Sequence, residues 1–331
     1  MGLQLRLYLL LGLMLAILYA VILAVSQAIG VGGFAMYSSL AVGLVVLQYL
    51  IGPKMVSWMM KVKYVSEKEQ PALHQTIGEL AKEAGIKKPR VCVSELNIPN
   101  AFACGRTRAD ARVCVTRGIM KLLSKDELRA VLGHEMSHVK NRDMVFITLL
   151  SVLPMICYYI ALSFMWSGMF GGRSRSSQGG GNILPMIGLG MLILYFITNL
   201  LVLYGSRIRE YYADRGSVNL GNRPRYMATA LYKLSYGNAK VSKEEFKKVE
   251  GIKAFFVSDP SRALTEVREL REIDTDMSGT IDASELEALR GKTVRPGTGD
   301  KLMELFSTHP NMLKRIKHLS TLTFGQTPLS H

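Results

Sequence analysis

Residues 124–143 read SKDELRAVLGHEMSHVKNRD, and this stretch predicts the central helix of the fold. Ser124 is predicted to cap the helix, because Glu127 follows three residues later and completes the Ser-x-x-Glu pattern of a capping box. The helix opened by this cap is predicted to continue through DELRAVLGHEMSHVKNRD, to Asp143. It contains a His-Glu-x-x-His sequence in its second half.

The His-Glu-x-x-His sequence predicts a catalytic zinc site. His134 and His138 are four residues apart and therefore lie on one face of a helix, with Glu135 beside them. Zinc accepts imidazole nitrogen and carboxylate oxygen in a tetrahedral site, and a catalytic site keeps its fourth position for water. The metal acidifies that water, and Glu135 is predicted to take its proton as it attacks a peptide carbonyl.

A third protein ligand is expected in the segment EYYAD at 210–214. Glu210 would complete a His/His/Glu site, but spacing alone fits an ordinary surface carboxylate equally well. Asp214 follows one helical turn later and is predicted to orient a ligating histidine through a hydrogen bond.

Three charge-free stretches lie before and between the motifs and predict membrane spans. The first, Leu7 to Pro53, contains no Asp, Glu, Lys, Arg or His. Ser26, Gln27 and nearby glycines interrupt it, and each side has about the 20 residues that a spanning helix needs. We therefore predict two transmembrane helices within residues 1–53, at about 7–28 and 34–52.

Two further charge-free stretches, 144–172 and 176–206, predict another transmembrane hairpin at 144–206. Its helices are expected at about 144–166 and 183–204, joined by the Gly/Ser/Arg-rich loop at 171–181. A buried hairpin of a soluble domain is the alternative. Because the two zinc-ligand segments adjoin these spans, both ligand helices are expected to continue transmembrane helices. The metal is then expected just off one face of the bilayer.

The composition separates apolar from basic residues. The chain of 331 residues carries 41 Lys+Arg against 26 Asp+Glu, yet 49% of it is hydrophobic and the mean hydropathy is +0.18. Such hydrophobicity excludes a disordered chain, and four cysteines are too few for a disulfide scaffold. We expect these cysteines to act as small buried hydrophobic residues.

Basic residues near the span ends predict the orientation. With the N-terminus inside, the outer loops hold only Arg173 and Arg175. The inner flanks hold Arg6, Lys54, Lys61, Lys63, Lys140, Arg142, Arg207 and Arg209. The polar segments 54–143 and 207–331 are therefore expected to face the cytoplasm from the cell (inner) membrane. Lipid explains this basic charge better than nucleic acid, for which no recognition motif is present.

The two polar segments are predicted to form one domain that is mainly α with a small β-sheet. A helix is expected at 67–84, ended by Gly85, and short strands at 90–93 and 112–116. The fold class is thus a multi-pass helical membrane protein with a zincin-like metalloprotease domain on the cytoplasmic side.

The motifs together resemble those of HtpX-type membrane zinc proteases, which are kin to the CAAX-prenyl-type proteases. The resemblance covers nearly the whole chain in four ordered motifs. These are NIPNAFACG at 97–105, HEMSHVKNRD at 134–143, EYYAD at 210–214 and LFSTHP at 305–310.

This resemblance implies an activity and roles for individual residues. It implies that His134, His138 and Glu210 bind one zinc ion and that Glu135 is the general base. It further implies that Asn100, Ala101 and Phe102 belong to an edge strand that pairs with a peptide substrate, and that His309 stabilises the oxyanion. The implied substrates are misfolded or damaged membrane proteins.

An acidic segment at 274–285 departs from this family pattern and matches a calcium-binding EF-hand loop. Gly279 stands where the loop turns sharply, and helical patterns flank an insert at about 263–295. The predicted calcium ligands are Asp274, Asp276, Ser278, Thr280 through its carbonyl, Asp282 and Glu285. An acidic turn that binds no ion is the alternative, and EF-hands usually occur in pairs.

Two functions are compatible with these patterns. The first is a membrane-bound zinc endopeptidase, with calcium as a possible modulator that positions His309 or gates substrate entry. The second is a calcium-responsive membrane adaptor whose zinc site is vestigial or structural. Glu135 favours the endopeptidase, because a structural zinc site needs no general base.

Overall fold

The computed structural model describes residues 3–170, 184–241, 257, 263–292 and 303–322. Within it the chain divides into two compact units. The first comprises Met1–Ile51 and Phe146–Gly205, and the second comprises Gly52–Val145 and Ser206–His331. These divisions fall close to the predicted boundaries between apolar and polar segments.

The first unit contains long apolar helices. They belong to α1 (Leu3–Met59), α5 (Asp143–Leu150), α6 (Val152–Phe170) and α7 (Leu184–Asn219). By length and composition the described residues hold four candidate membrane spans, Gln4–Ile22, Ser38–Met59, Asp143–Met165 and Pro185–Asn219. The predicted Gly/Ser/Arg-rich loop lies outside the described residues.

The two helices predicted at 7–28 and 34–52 correspond to the candidate spans Gln4–Ile22 and Ser38–Met59, but both lie on one helix, α1, without the predicted break. Its backbone is helical from Leu3 to Met59, through the interruption at Ser26 and the glycines that follow. A glycine weakens a helix by only about 1 kcal/mol. In apolar surroundings a broken backbone hydrogen bond costs several kcal/mol, so isolated glycines do not end an apolar helix.

The helix that carries the two histidines ends before the next apolar stretch, contrary to expectation. Helix α4 comprises Lys125–Asn141, and Arg142 adopts a left-handed conformation with φ 57°. The Arg142 N–H donates to the carbonyls of His138 and Val139, which ends the helix. Helix α5 then begins afresh at Asp143.

A second interruption divides the third candidate span. Helix α5 ends at Leu150 and α6 begins at Val152. Pro154 stands in the first turn of α6 and has no N–H to donate to the carbonyl four residues earlier. The helix break at Ser151 follows from this missing hydrogen bond.

The second unit contains a four-stranded sheet of order β1-β2-β4-β3. The strands are β1 (Val62–Tyr64), β2 (Arg90–Ser94), β3 (Ala101–Cys104) and β4 (Arg112–Thr116). Strands β2 and β4 are parallel, and the other pairs are antiparallel. The predicted strands at 90–93 and 112–116 are thus confirmed. Strand β3 lies at an edge of the sheet, as the resemblance implies for residues 100–102.

Helices cover the sheet and complete the core of the second unit. Helix α2 (Pro71–Ala84) begins later than predicted because Pro71 occupies its first turn, and Gly85 ends it at φ 67° as expected. The remaining helices are α3 (Arg117–Leu122), α8 (Pro224–Ala239), α9 (Ala263–Leu270), α10 (Ala283–Gly291) and α11 (Met312–Ser320). The four cysteines are free and buried, as predicted.

Candidate metal centre and active site

The predicted capping box begins the helix on which the site is built. Ser124 Oγ accepts the N–H of Glu127, and the Glu127 carboxylate accepts the N–H of Ser124. The helix therefore starts where the sequence predicts. The two histidines then follow on one face.

Small residues let α7 approach α4 at the site. A Cβ on Gly216 would lie 2.0 Å from Ser137 Oγ, and a Cβ on Gly133 would lie 2.4 Å from Asn222 Nδ2. Ser217 Oγ donates to the carbonyl of Ala130 at 2.6 Å. Glu210 lies on the same face of α7, two turns before Ser217. The close packing therefore brings Glu210 to the histidines.

Three predicted metal ligands converge. The Nε2 atoms of His134 and His138 are 3.1 Å apart. Glu210 Oε2 lies 3.5 Å from His134 Nε2, and Glu210 Oε1 lies 3.4 Å from His138 Nε2. The structure thus places Glu210 as a ligand candidate and not on the surface.

These distances fit a tetrahedral zinc ion. With zinc–ligand bonds of about 2.0–2.1 Å, ligand atoms at tetrahedral angles lie about 3.3 Å from one another. The three observed separations bracket this value. Two imidazole nitrogens that face each other at 3.1 Å also need a cation or a proton between their lone pairs.

The charge balance of the site also fits a divalent cation. Six charged side chains surround the ligands, and each is less than a tenth exposed. They are Glu135, Asp143, Arg209, Glu210, Asp214 and Arg315. With neutral histidines, four carboxylates against two guanidinium groups leave a formal charge of −2 among these residues. Buried charge needs compensation, and a zinc ion would supply it.

Each ligating histidine contacts a carboxylate through its other ring nitrogen. His134 Nδ1 lies 2.9 Å from Asp214 Oδ1, the contact predicted for Asp214. His138 Nδ1 lies 2.7 Å from Asp143 Oδ2. A carboxylate at Nδ1 retains the proton there and leaves the Nε2 lone pair for the metal. The left-handed turn at Arg142 is what brings Asp143 back to His138.

Two buried arginines hold these carboxylates, and sequence reasoning missed both. Arg209 pairs with Asp143. Arg315, which is 0% exposed, donates to both oxygens of Asp214 at 3.0 and 2.6 Å. Its Nη1 also lies 3.1 Å from Glu210 Oε2. Burial alone would lower the pKa of Arg315, but the carboxylates of Asp214 and Glu210 outweigh it and raise that pKa.

The carboxylates also determine the protonation of His134. Burial disfavours the imidazolium form, but the hydrogen bonds of Asp214 and Glu210 outweigh burial and raise the pKa of His134. The site therefore stabilises positive charge at the position where zinc would be coordinated.

Glu135 has the environment of a general base. It is 5% exposed, and burial raises the pKa of its carboxyl above the ordinary value. Its Oε2 accepts the backbone N–H of Ala103 at 2.7 Å. The base is therefore fixed to strand β3, and its raised pKa favours accepting a proton near neutral pH.

Among the described residues no strand pairs with the outer edge of β3, and the residues whose backbone groups face that edge differ by one position from the predicted substrate contacts. Thr116 N–H donates to the Asn100 carbonyl, which makes these two residues a hydrogen-bonded pair of the antiparallel ladder. The pairs alternate, so Phe102 bonds towards β4, and the backbone groups of Ala101 and Ala103 point to the other edge. The Ala103 N–H donates to Glu135 and not to β4, which agrees with this alternation.

Asn100 therefore has an internal role instead of direct substrate contact. It is 1% exposed, and its N–H donates to Thr116 Oγ1 at 2.9 Å. Its Oδ1 accepts the N–H of Val257, whose carbonyl accepts from Arg315 Nη1 at 2.8 Å. This chain of hydrogen bonds links the start of β3 to the metal centre.

His309 lies at the metal centre as the resemblance implies. It is 6% exposed, and its Nδ1 is 3.3 Å from Glu210 Oε2. Its backbone N–H donates to Ser307 Oγ. A buried imidazole beside a ligating carboxylate is positioned to contact a reacting group there.

The predicted calcium loop forms a second acidic cluster. Asp274, Asp276 and Glu285 bring carboxylate oxygens within 4.8 Å of one another, and Gly279 turns at φ 76°. Of the other predicted ligands, Asp282 caps α10. Ser278 bonds through its N–H to Asp274 and Asp276, and through its hydroxyl to the Thr280 carbonyl.

The chain is similar to known proteins. The model of peptidase family M48 matches residues 67–323. A relative described as a protease HtpX homolog, from Methanothermobacter thermautotrophicus, is 53% identical over 206 residues, which cover 62% of this chain and 75% of the relative. Another from Moorella thermoacetica is 36% identical over 292 residues, which cover 88% and 84%.

A solved structure is also similar. The crystal structure of Ste24p from S. mikatae matches with a TM-score of 0.48 and 18% identity, over 92% of this chain and 66% of that chain. The apolar helices and the metal centre define a membrane-bound zinc metalloprotease, a hydrolase of peptide bonds. The chain belongs to peptidase family M48, among the HtpX-type proteases.

Proposed function

We propose that the protein cleaves misfolded or damaged membrane proteins at the cytoplasmic surface of the cell (inner) membrane. One observation carries the endopeptidase activity. The Ala103 N–H of the edge strand donates to Glu135, which follows His134 directly and precedes His138 by three residues. A peptide paired with β3 would therefore lie beside both the base and the metal.

The residues of the site divide the chemistry of hydrolysis. A zinc ion held by His134, His138 and Glu210 would acidify a water molecule and polarise the peptide carbonyl. Glu135, oriented by Ala103, takes the proton and passes it to the leaving amine. We infer from the resemblance that His309 stabilises the oxyanion, which its position beside Glu210 supports.

The backbone groups of Ala101 and Ala103 would bind the substrate. Strand addition uses main-chain hydrogen bonds, which carry no sequence preference of their own. The Ala101 N–H and C=O and the Ala103 C=O face the free edge, while the Ala103 N–H holds the base. Extended peptides of many sequences would thus be accepted, which suits a role in quality control.

The cytoplasmic orientation rests on the distribution of basic residues. Lys54 lies near the end of the second candidate span, Lys61 and Lys63 follow it, and Lys140 precedes the third. Positively charged residues favour the cytoplasmic side. A reporter fused after His331 that is active only in the cytoplasm tests this side, and a reporter active only outside would contradict it.

The endopeptidase is tested by cleavage in a lipid bilayer. We expect protein reconstituted with zinc in nanodiscs to cleave both casein and an unfolded membrane protein. The same samples should contain one zinc ion per chain at the His/His/Glu site. Protein that binds zinc but cleaves neither substrate would support the membrane adaptor with a structural site.

We also propose that the loop at 274–285 binds calcium and modulates the protease. Contacts from α8 support it. Thr229 Oγ1 accepts the Ile281 N–H at 3.1 Å and donates to the Ile281 carbonyl at 2.9 Å. The Tyr232 hydroxyl donates to Asp274 at 2.6 Å. Helix α8 thus steadies this single loop, as a second loop does in paired EF-hands.

Helix α11 offers a route from the loop to the zinc centre. Asn311, which caps α11, donates to Glu269 of α9 at 2.6 Å. Lys317 of α11 donates to the Leu289 carbonyl of α10 at 2.6 Å. Both helices that flank the loop therefore contact α11, which carries Arg315. A change in the angle between them would reach the metal centre through this arginine.

Glu285→Gln should weaken the calcium response. With zinc fixed, we expect the cleavage rate of the wild type to change about 5-fold or more with calcium, the size of a typical coupling energy. Glu285→Gln should shift this response to higher calcium concentration, because the loop loses its bidentate ligand. Glu287→Gln, an exposed residue on the same helix, should respond as the wild type does. Equal, calcium-independent rates in all three proteins would contradict the modulation.

A further inference from the structure

Three large apolar side chains are exposed on one turn of the second unit. Met303, Leu305 and Phe306, here called the apolar tip, are 43%, 46% and 54% exposed. Few other large apolar residues in the described part of this unit are so exposed, and Met55 and Trp58 among them lie within the candidate span Ser38–Met59. Contiguous exposed apolar surface marks a binding site.

The backbone turn separates an apolar face from a polar one. The Phe306 N–H donates to the Met303 carbonyl at 3.2 Å, and the Ser307 N–H donates to the Glu304 carbonyl at 3.1 Å. Glu304 and Ser307 are buried and face the protein, where Glu304 pairs with Lys314. These contacts hold the turn with its apolar side chains facing outward.

Arg207 fixes this turn at the end of the charge-free stretch of α7. The charge-free stretch 176–206 ends one residue before it, on the continuous helix α7. The Arg207 guanidinium donates to the carbonyls of Glu304, Leu305 and Ser307, at 2.8, 3.2 and 2.7 Å. The apolar tip therefore lies within one side-chain length of Arg207, the first charged residue after the charge-free stretch.

We propose that the apolar tip inserts into the lipid interface of the bilayer that α7 spans. Charged residues begin at Arg207, so α7 leaves the hydrocarbon region near this position. Apolar side chains held at this level lose water contact by entering the boundary between headgroups and acyl chains.

The position of the tip connects lipid contact with the active site. Ser307, which follows the tip, accepts the His309 N–H at 3.2 Å. The imidazole of His309 lies 3.3 Å from Glu210. Lipid contact at the tip would therefore help to hold the loop that carries His309 in place.

Quenching of a single tryptophan by brominated lipid tests the insertion. The chain has two tryptophans, Trp58 and Trp166, and both are replaced by phenylalanine as a background. Phe306→Trp is then reconstituted in phosphatidylcholine vesicles whose acyl chains are brominated near the headgroup. We expect its emission to fall about twofold, since interfacial side chains lie roughly 5–10 Å deep.

A matched control and a second variant keep the result decisive. Met277→Trp in the same background is at an 89% exposed position in the acidic loop and should not be quenched. Leu305→Trp should be quenched as Phe306→Trp is. Equal emission of all three variants in brominated and ordinary lipid would overturn the proposal. The proposal would also be overturned if brominated lipid left the tip tryptophan unquenched while an added apolar peptide shielded it from water. The tip would then bind substrate. The measurement needs no peptidase activity.

Discussion

Glu135→Gln is expected to lower kcat/KM for peptide hydrolysis by about 10²–10⁴-fold, the usual contribution of a general base. Glutamine has nearly the same shape and can still accept the Ala103 N–H through its carbonyl oxygen. It cannot take a proton from water. The zinc ligands are unchanged, so zinc should remain at one ion per chain by elemental analysis.

The control for this variant is a carboxylate on the same helix. Asp126 is exposed in the first turn of α4, and Asp126→Asn should leave the rate nearly unchanged. A chelator should abolish the activity of wild type and control alike. Cleavage by Glu135→Gln at the wild-type rate, with its zinc retained, would show that another group acts as the base.

Arg315→Leu is expected to destabilise the protein by about 3–5 kcal/mol. The substitution leaves the carboxylates of Asp214 and Glu210 buried without their guanidinium partner, and an uncompensated buried charge costs about this much. Arg315→Lys should lose less stability, because it retains the charge but cannot reach both carboxylates in the same geometry.

Thermal unfolding of the full-length protein in detergent measures this loss. Added zinc should restore part of the stability of Arg315→Leu, because the cation binds the folded state and compensates the same carboxylates. Arg290→Leu removes an exposed ion pair with Glu287 and should cost about 0–1 kcal/mol. If Arg315→Leu unfolded at the temperature of Arg290→Leu, the arginine would not be what balances the charge of the metal centre.

Local patterns predicted the parts of the site that depend on nearby residues. The spacing of His134 and His138 and the capping box at Ser124 each follow from a few adjacent positions, and the structure reproduces them. Asp214 contacts His134 because it lies one turn beyond Glu210 on α7. Such features need only the geometry of a single helix.

The features that local sequence patterns did not predict depend on residues far apart in the chain or on backbone changes that no residue type indicates. Arg315 meets Asp214 across 101 positions of the chain, and no local periodicity reports such a pair. The left-handed turn at Arg142 carries no glycine, so nothing in the motif indicated that Asp143 returns to His138. The continuity of α1 was missed because its glycines suggested a turn, whereas apolar surroundings favour an unbroken helix.

If substrates pair with β3 as proposed, the open edge of that strand would make unfolding itself the condition for cleavage. A substrate can use the backbone groups of Ala101 and Ala103 only if its own N–H and C=O groups are not already bonded within a helix or a sheet. A native transmembrane helix satisfies those groups internally and presents no strand to add. A segment that has lost its helix offers them freely. Discrimination between intact and damaged proteins would then require no signal sequence, only an extended backbone within reach of the base.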